Sequence, residues 1–249
     1  IMGRYIAMGM LTRASIPYEI GLDFFRLLKV ELPAAMPCTF GNNDEGEFEF
    51  SLDGSGLKEN WDWPVLWSPL TPSIKGHIYM KIGKRLHSFI GLRFFMGDLP
   101  LDETRNLILK VNDLLPLDFA YIHHLSESGV NFADCNDTLM NAASKDQSYI
   151  MVNSRVLKES IPDLYWFTFF GKPYAEIFGE KVYSKVDAYK SERLSDGSFW
   201  VQLAESIDEI GTDQYEKSKG KIKKQLGERA FFSKKLGLEN KKYKSPRFD

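Results

Sequence analysis

The chain has 249 residues, 43% of them hydrophobic and 14% aromatic, which is enough to bury a large core and fits one large domain or two small ones. This composition lies far from the low-hydrophobicity, high-charge regime of unfolded chains, so disorder of the whole chain is excluded. The formal net charge of -2 conceals an asymmetry: residues 217–249 carry 12 Lys or Arg against 3 Asp or Glu, a local +9, which leaves -11 on the remainder.

Cys38 and Cys135 lie far apart and form no C-x-x-C pair, so neither a disulfide framework nor a zinc site is implied, and no cofactor is called for. No segment reaches the roughly 18 consecutive apolar residues of a membrane-spanning helix. The first residues, 1–11, lack the basic start and apolar stretch of a signal peptide, and the expectation is a soluble cytoplasmic protein with no membrane partner. The Ile ahead of Met2 leaves open whether residues are missing upstream.

The first predicted element is an amphipathic helix over 17–32, with Pro17 in its first turn and Pro33 and Pro37 ending it. Alternation over 47–51 predicts a strand with carboxylates on one face, followed by a flexible Asp53-Gly54-Ser55-Gly56 turn. The stretch 61–69 is too rich in Pro for regular structure and is read as an aromatic loop. Strands are predicted over 77–82 and 88–96, joined by a short link at 83–85. A helix follows over 101–115 with Asp102 as its N-cap, then a strand over 117–125 and a turn at 126–129.

Beyond this lie a short helix at 134–143, a brief strand at 149–152 and a helix at 155–160. Gly171 breaks the aromatic block 164–170, and a short helix over 173–178 closes at Gly179. Strands over 186–193 and 198–203 flank Asp196-Gly197, a strong hairpin signal, and a last helix runs over 213–226 to Gly227. The fold class is therefore α+β, a largely antiparallel sheet of hairpins packed against several helices. A single domain over 1–235 accounts for this order, or two halves near 1–125 and 126–235, with 236–249 a basic, mobile tail.

Nucleotide-binding loops, the nucleophile elbow and H-E-x-x-H are all absent. His77 and His87 are isolated, and adjacent His123 and His124 in a strand point to opposite faces, which argues against a metal site or a histidine acid-base pair. No catalytic residue is assigned, and the chain reads as a binding protein. The lysines from Lys217 onward read as a solvated helix face and frayed end, and the acidic body makes a poor nucleic-acid binder.

The acidic cluster Asp44, Glu45, Glu47, Glu49, Asp53, Glu59 and Asp62 is opposed only by Lys58 and interleaved with Phe48, Phe50, Trp61, Trp63 and Trp67. It is the candidate partner-binding surface, a negative face with aromatic anchors suited to a basic partner. The rival reading is a long surface loop whose tryptophans dock onto the core. Scattered carboxylates in an unrecognised active site, or a two-fold scaffold dimer, are the alternatives from other classes.

Residues 161–166 (Ile-Pro-Asp-Leu-Tyr-Trp), Phe169-Phe170-Gly171-Lys172-Pro173-Tyr174, Phe178-Gly179 and the Asp196-Gly197 hairpin resemble immunity proteins of bacterial polymorphic-toxin and type VI secretion systems. The similarity covers about residues 161–227. Its marker residues, Trp166, Gly171, Pro173 and Gly179, have structural chemistry: a core filler, a sharp turn, a helix start and a helix end. The resemblance implies a cytoplasmic inhibitor that binds and neutralises a cognate protein toxin without chemistry of its own.

Overall fold

The computed structural model describes residues 5–42, 46–61, 64–81, 86–125, 152, 154–233 and 243–248. Ten strands and six α-helices occur among them, the strands in a largely antiparallel sheet, which is the α+β architecture expected from the sequence. The chain divides into two compact units, 1–120 and 121–249.

In the first unit the strand order is β3 (Phe48–Glu49), β2 (Thr39–Gly41), β4 (Val65–Ser68), β5 (Lys75–Tyr79), β6 (Ser88–Phe95), β1 (Tyr5–Thr12). Seven of the eight residues of β1 are buried, so both of its faces are covered. Helices α1 (Tyr18–Glu31) and α2 (Leu101–Leu114) pack on each other and bury Leu22, Phe24, Phe25 and Leu28 from one, and Leu107, Ile108 and Val111 from the other. Trp67 is the centre of this core. It meets Phe25 edge-on at 5.2 Å, donates its indole N–H to Ala35 O at 3.0 Å and lies on Gly76, where a Cβ would come within 1.9 Å of the ring.

Strand β7 (Phe119–Leu125) carries the chain out of the first unit, and the second unit has the order β7, β8 (Phe167–Phe170), β10 (Phe199–Gln202), β9 (Lys190–Arg193). All four residues of β8 are buried. Around it stand α3 (Ser154–Glu159), α4 (Lys172–Phe178), α5 (Glu180–Tyr183) and α6 (Asp213–Leu226). The marker residues of the 161–179 segment occupy core, turn and helix-end positions. Trp166 is 2% exposed, Gly171 O caps α4 by accepting from Tyr174 N and Ala175 N, Pro173 sits in the first turn, and Gly179 takes φ +80° between α4 and α5. Tyr174 then donates its hydroxyl to Leu157 O at 2.9 Å, tying α4 to α3.

Several sequence expectations are corrected. Residues 61–69 contain a strand, β4, because Pro64 and Pro69 bracket Val65–Ser68 and remove no ladder donor from it. Strands β1 and β2 were not expected; β1 is a continuous apolar run without the alternation that signals a half-exposed strand. The strand expected over 47–51 shortens to Phe48–Glu49, and that over 186–193 to Lys190–Arg193. The N-cap of α2 is Pro100; Asp102 sits inside the first turn, paired with Arg105 at 3.0 Å. Expectations for 83–85, 126–129 and 134–143, and for 149–152 apart from Val152, lie outside the described residues. Of the segment 236–249, Tyr243 is buried, its hydroxyl accepting from Ser233 N at 2.9 Å.

Gly21 gives a test of this packing. A glycine within a helix ordinarily costs about 1 kcal/mol relative to Ala, but the Trp61 ring fills the space above Gly21, with a Cβ falling 1.9 Å from its edge. Displacing the ring also strains the bond from Trp61 Nε1 to Ile16 O, at 3.0 Å. Gly21→Ala is expected to destabilise the protein by about 1–3 kcal/mol, with a red shift in tryptophan emission. A denaturation midpoint equal to or above that of the parent would overturn this account.

Candidate protein-interaction site

The acidic segment is shaped by what lies beneath it. Phe50 packs on Phe25 at 4.9 Å, Leu57 is fully buried, the Tyr18 hydroxyl lies on Gly54, and Trp61 is laid on α1. These contacts hold residues 46–61 against the unit while Glu47, Glu49, Asp53 and Glu59 remain exposed. Asp53 accepts from Ser55 N at 2.8 Å, and this backbone bond, helped by the side chains of Ser55 and Ser51, holds its carboxyl below the ordinary range. The segment thus presents its carboxylates from a fixed support.

The aromatic anchors are distributed differently from the expectation. Trp67 is 2% exposed and belongs to the core, and Trp61 is half-buried with its N–H committed to Ile16 O. These two tryptophans therefore support the surface from below. Asp44, Glu45, Asp62 and Trp63 lie outside the described residues. The structure brings Glu47, Glu49, Asp53 and Glu59 onto one docked segment and turns Trp61 and Trp67 inward.

The lysines of α6 are largely committed within the second unit. Lys219 and Lys223, one helical turn apart, reach Asp163 at 2.6 and 2.9 Å, and Lys221 pairs with Asp187. Burial pushes the Asp163 carboxyl up, but the two ammonium groups outweigh it and hold the carboxyl below its ordinary value of 3.8. Asp163 also accepts from Leu164 N at 2.8 Å. The helix is thereby fastened to the segment that leads into Trp166, and much of its basic character is spent internally.

Two of the four histidines are held tightly by the fold. His77 is 3% exposed, with its ring over Gly91, and burial, with the nearby Arg93 charge, lowers its pKa to about 3. His123 Nδ1 accepts from Trp166 N at 3.2 Å; burial, then the Lys219 and His124 charges, lower its pKa to about 3 against the opposing pull of Asp163. The rings of His123 and His124 lie parallel with centroids 5.4 Å apart, so strand alternation does not separate them as expected. No group of three or more potential metal ligands occurs among the described residues, and no helix among them is long and apolar enough to cross a membrane.

A second feature escaped the sequence reading. Residues 205–216 carry Glu205, Asp208, Glu209, Asp213 and Glu216 without one Lys or Arg. Two of them, Glu205 and Glu209, line a groove of about 560 Å³ along α6, floored by Leu203, Ala204 and Tyr215. A charge count in windows of about a dozen residues would have found this run, which the average over the whole acidic body conceals.

The pH dependence has a definite sign. A histidine whose folded pKa lies below its unfolded 6.5 contributes stability that is complete above pH 6.5 and is lost as pH falls toward 3. Asp163 acts in the same sense below its ordinary 3.8. Stability is expected to fall between pH 6.5 and 4.5 by up to about 1.4 kcal/mol per pH unit for His77, and by less for the partly exposed His123. His77→Gln should flatten this slope in urea titrations; an unchanged slope would refute the assignment. Asp163→Asn, leaving Lys219 and Lys223 unopposed, is expected to cost about 1–3 kcal/mol once partial exposure is allowed for.

No protein-family model and no curated protein matches the chain. Among solved structures, the chain shares its fold with the Pseudomonas aeruginosa T6SS protein PA0821 at a TM-score of 0.53 and 10% sequence identity, over 88% of this chain and 74% of that one.

Proposed function

We propose that this chain is an immunity protein of a bacterial type VI secretion or polymorphic-toxin system, which binds a cognate toxin in the cytoplasm and neutralises it by covering the toxin's active site. The observation that carries the reading is the fold shared with a T6SS protein over most of the chain. The resemblance of 161–227 to immunity proteins points the same way. The exposed carboxylates Glu47, Glu49, Asp53 and Glu59, fixed on a docked segment, support an acidic contact face for a basic toxin cleft. In this reading the protein acts by occlusion and contributes no catalytic group.

Fixed surface carboxylates steer a cationic partner through long-range attraction, which salt screens. Co-expression with the product of the adjacent gene is expected to give a complex that co-purifies and to relieve that product's toxicity. Raising salt from about 50 to 500 mM should slow association about tenfold while changing dissociation much less. The combined substitutions Glu49→Lys and Glu59→Lys should slow association about tenfold at low salt without lowering the denaturation midpoint. Absence of both complex and rescue would remove the proposal.

A further inference from the structure

We infer that the groove along α6 in the second unit is a docking cleft for an extended protein segment that presents an arginine or lysine side chain. The inference deepens the reading of the chain as a binder of a basic protein and rests on it for the partner's identity.

One wall is the α6 face formed by Gln214, Lys217, Ser218 and Lys221, spaced at three, four and seven residues as one side of a helix requires. The opposite wall is residues 187–189, held along the helix by Asp187 N–H donating to Gln225 Oε1 at 3.1 Å and by the Asp187–Lys221 pair. The floor is buried: Leu203 is 5% exposed, Ala204 7% and Tyr215 2%, and the Tyr215 hydroxyl meets no hydrogen-bond partner among the described residues. Tyr189, 43% exposed, stands on the rim. A volume of about 560 Å³ is that of a few side chains, within the range of ordinary ligand clefts.

Charge selects the occupant. Asp187 and Lys221 neutralise one another, which leaves Glu205 and Glu209 against Lys217 within the groove. Asp208, Asp213 and Glu216 add negative charge beside it, with no cation between residues 205 and 216. This acidic corner is rigid before any partner arrives. Gln202 Nε2 donates to Ala204 O at 2.9 Å, Ser206 Oγ accepts from Asp208 N at 3.1 Å, and Glu209 accepts from Ser206 N at 3.1 Å. A guanidinium entering here meets the Glu205 and Glu209 carboxylates, the partners its planar fork binds best, while the Tyr189 ring on the rim already holds Lys190 Nζ 5.1 Å from its centroid.

The test uses the full chain and a fluorescein-labelled Gly-Arg-Gly-Arg-Gly-Arg-Gly peptide, followed by anisotropy and by amide chemical shifts, with Arg→Glu and Arg→Gln peptides as controls. Binding of the arginine peptide should shift amides of 203–209 and 214–221. Combined Glu205→Gln and Glu209→Gln, which keeps an acceptor for Ser206 N, should weaken it at least about fivefold. Lys217→Gln should strengthen it, and Glu47→Gln with Glu49→Gln should leave it within about twofold. Equal affinity for the Glu peptide, weakening that follows Glu47 and Glu49 alone, or no shifts in the groove would each overturn the inference. A toxin complex that forms with undiminished affinity in the Glu205/Glu209 variant also overturns it and leaves the inhibitor reading standing; failure of any complex removes that reading, while the peptide result still decides the cleft.

Discussion

The second unit depends on one carboxylate. Asp163 gathers Lys219 and Lys223 from a helix more than fifty residues downstream and fixes α6 against the segment that feeds Trp166 into the core. Helix α6 buries only Tyr215, Ile222 and Leu226 and is otherwise polar, so apolar packing alone specifies its position weakly. The ion triad supplies what the narrow apolar stripe does not. Because α6 is one wall of the groove, the triad also determines that the groove exists.

The first unit is organised by fit between large rings and absent side chains. Trp67 occupies the volume over Gly76, His77 that over Gly91, and Trp61 that over Gly21. Each ring is further fixed where it bonds to backbone, as Trp67 is to Ala35 and Trp61 to Ile16. Such interlocks place β4, β5 and β6 and hold the acidic segment. Charge contributes here as well, through the buried Asp118 that pairs with Arg13 at 3.0 Å.

What the sequence disclosed follows from the range over which each signal acts. Helices α1, α2 and α6 and the Asp196-Gly197 hairpin were legible because periodicity, proline, capping glycine and turn residues act within a few positions. Strand β1 was missed because burial on both faces erases alternation, and β4 because two prolines that flank a strand look like a loop when counted together. The acidic segment was visible by composition, but the inward placement of Trp61 and Trp67 depends on glycines up to forty residues away. Asp163 gave no local hint of its lysines, which read as a solvated face until the fold brought them together.

The indole of Trp61 resting on Gly21 bears on the thermodynamics of recognition. A surface loop that orders only when covered loses backbone and rotamer freedom at that moment, on the order of 1–2 kcal/mol for each residue fixed. Residues 46–61 have surrendered much of that freedom during folding, since Phe50, Leu57 and Trp61 already hold them in place. A molecule that covers these carboxylates therefore meets a preorganised surface, and more of its contact energy survives as affinity.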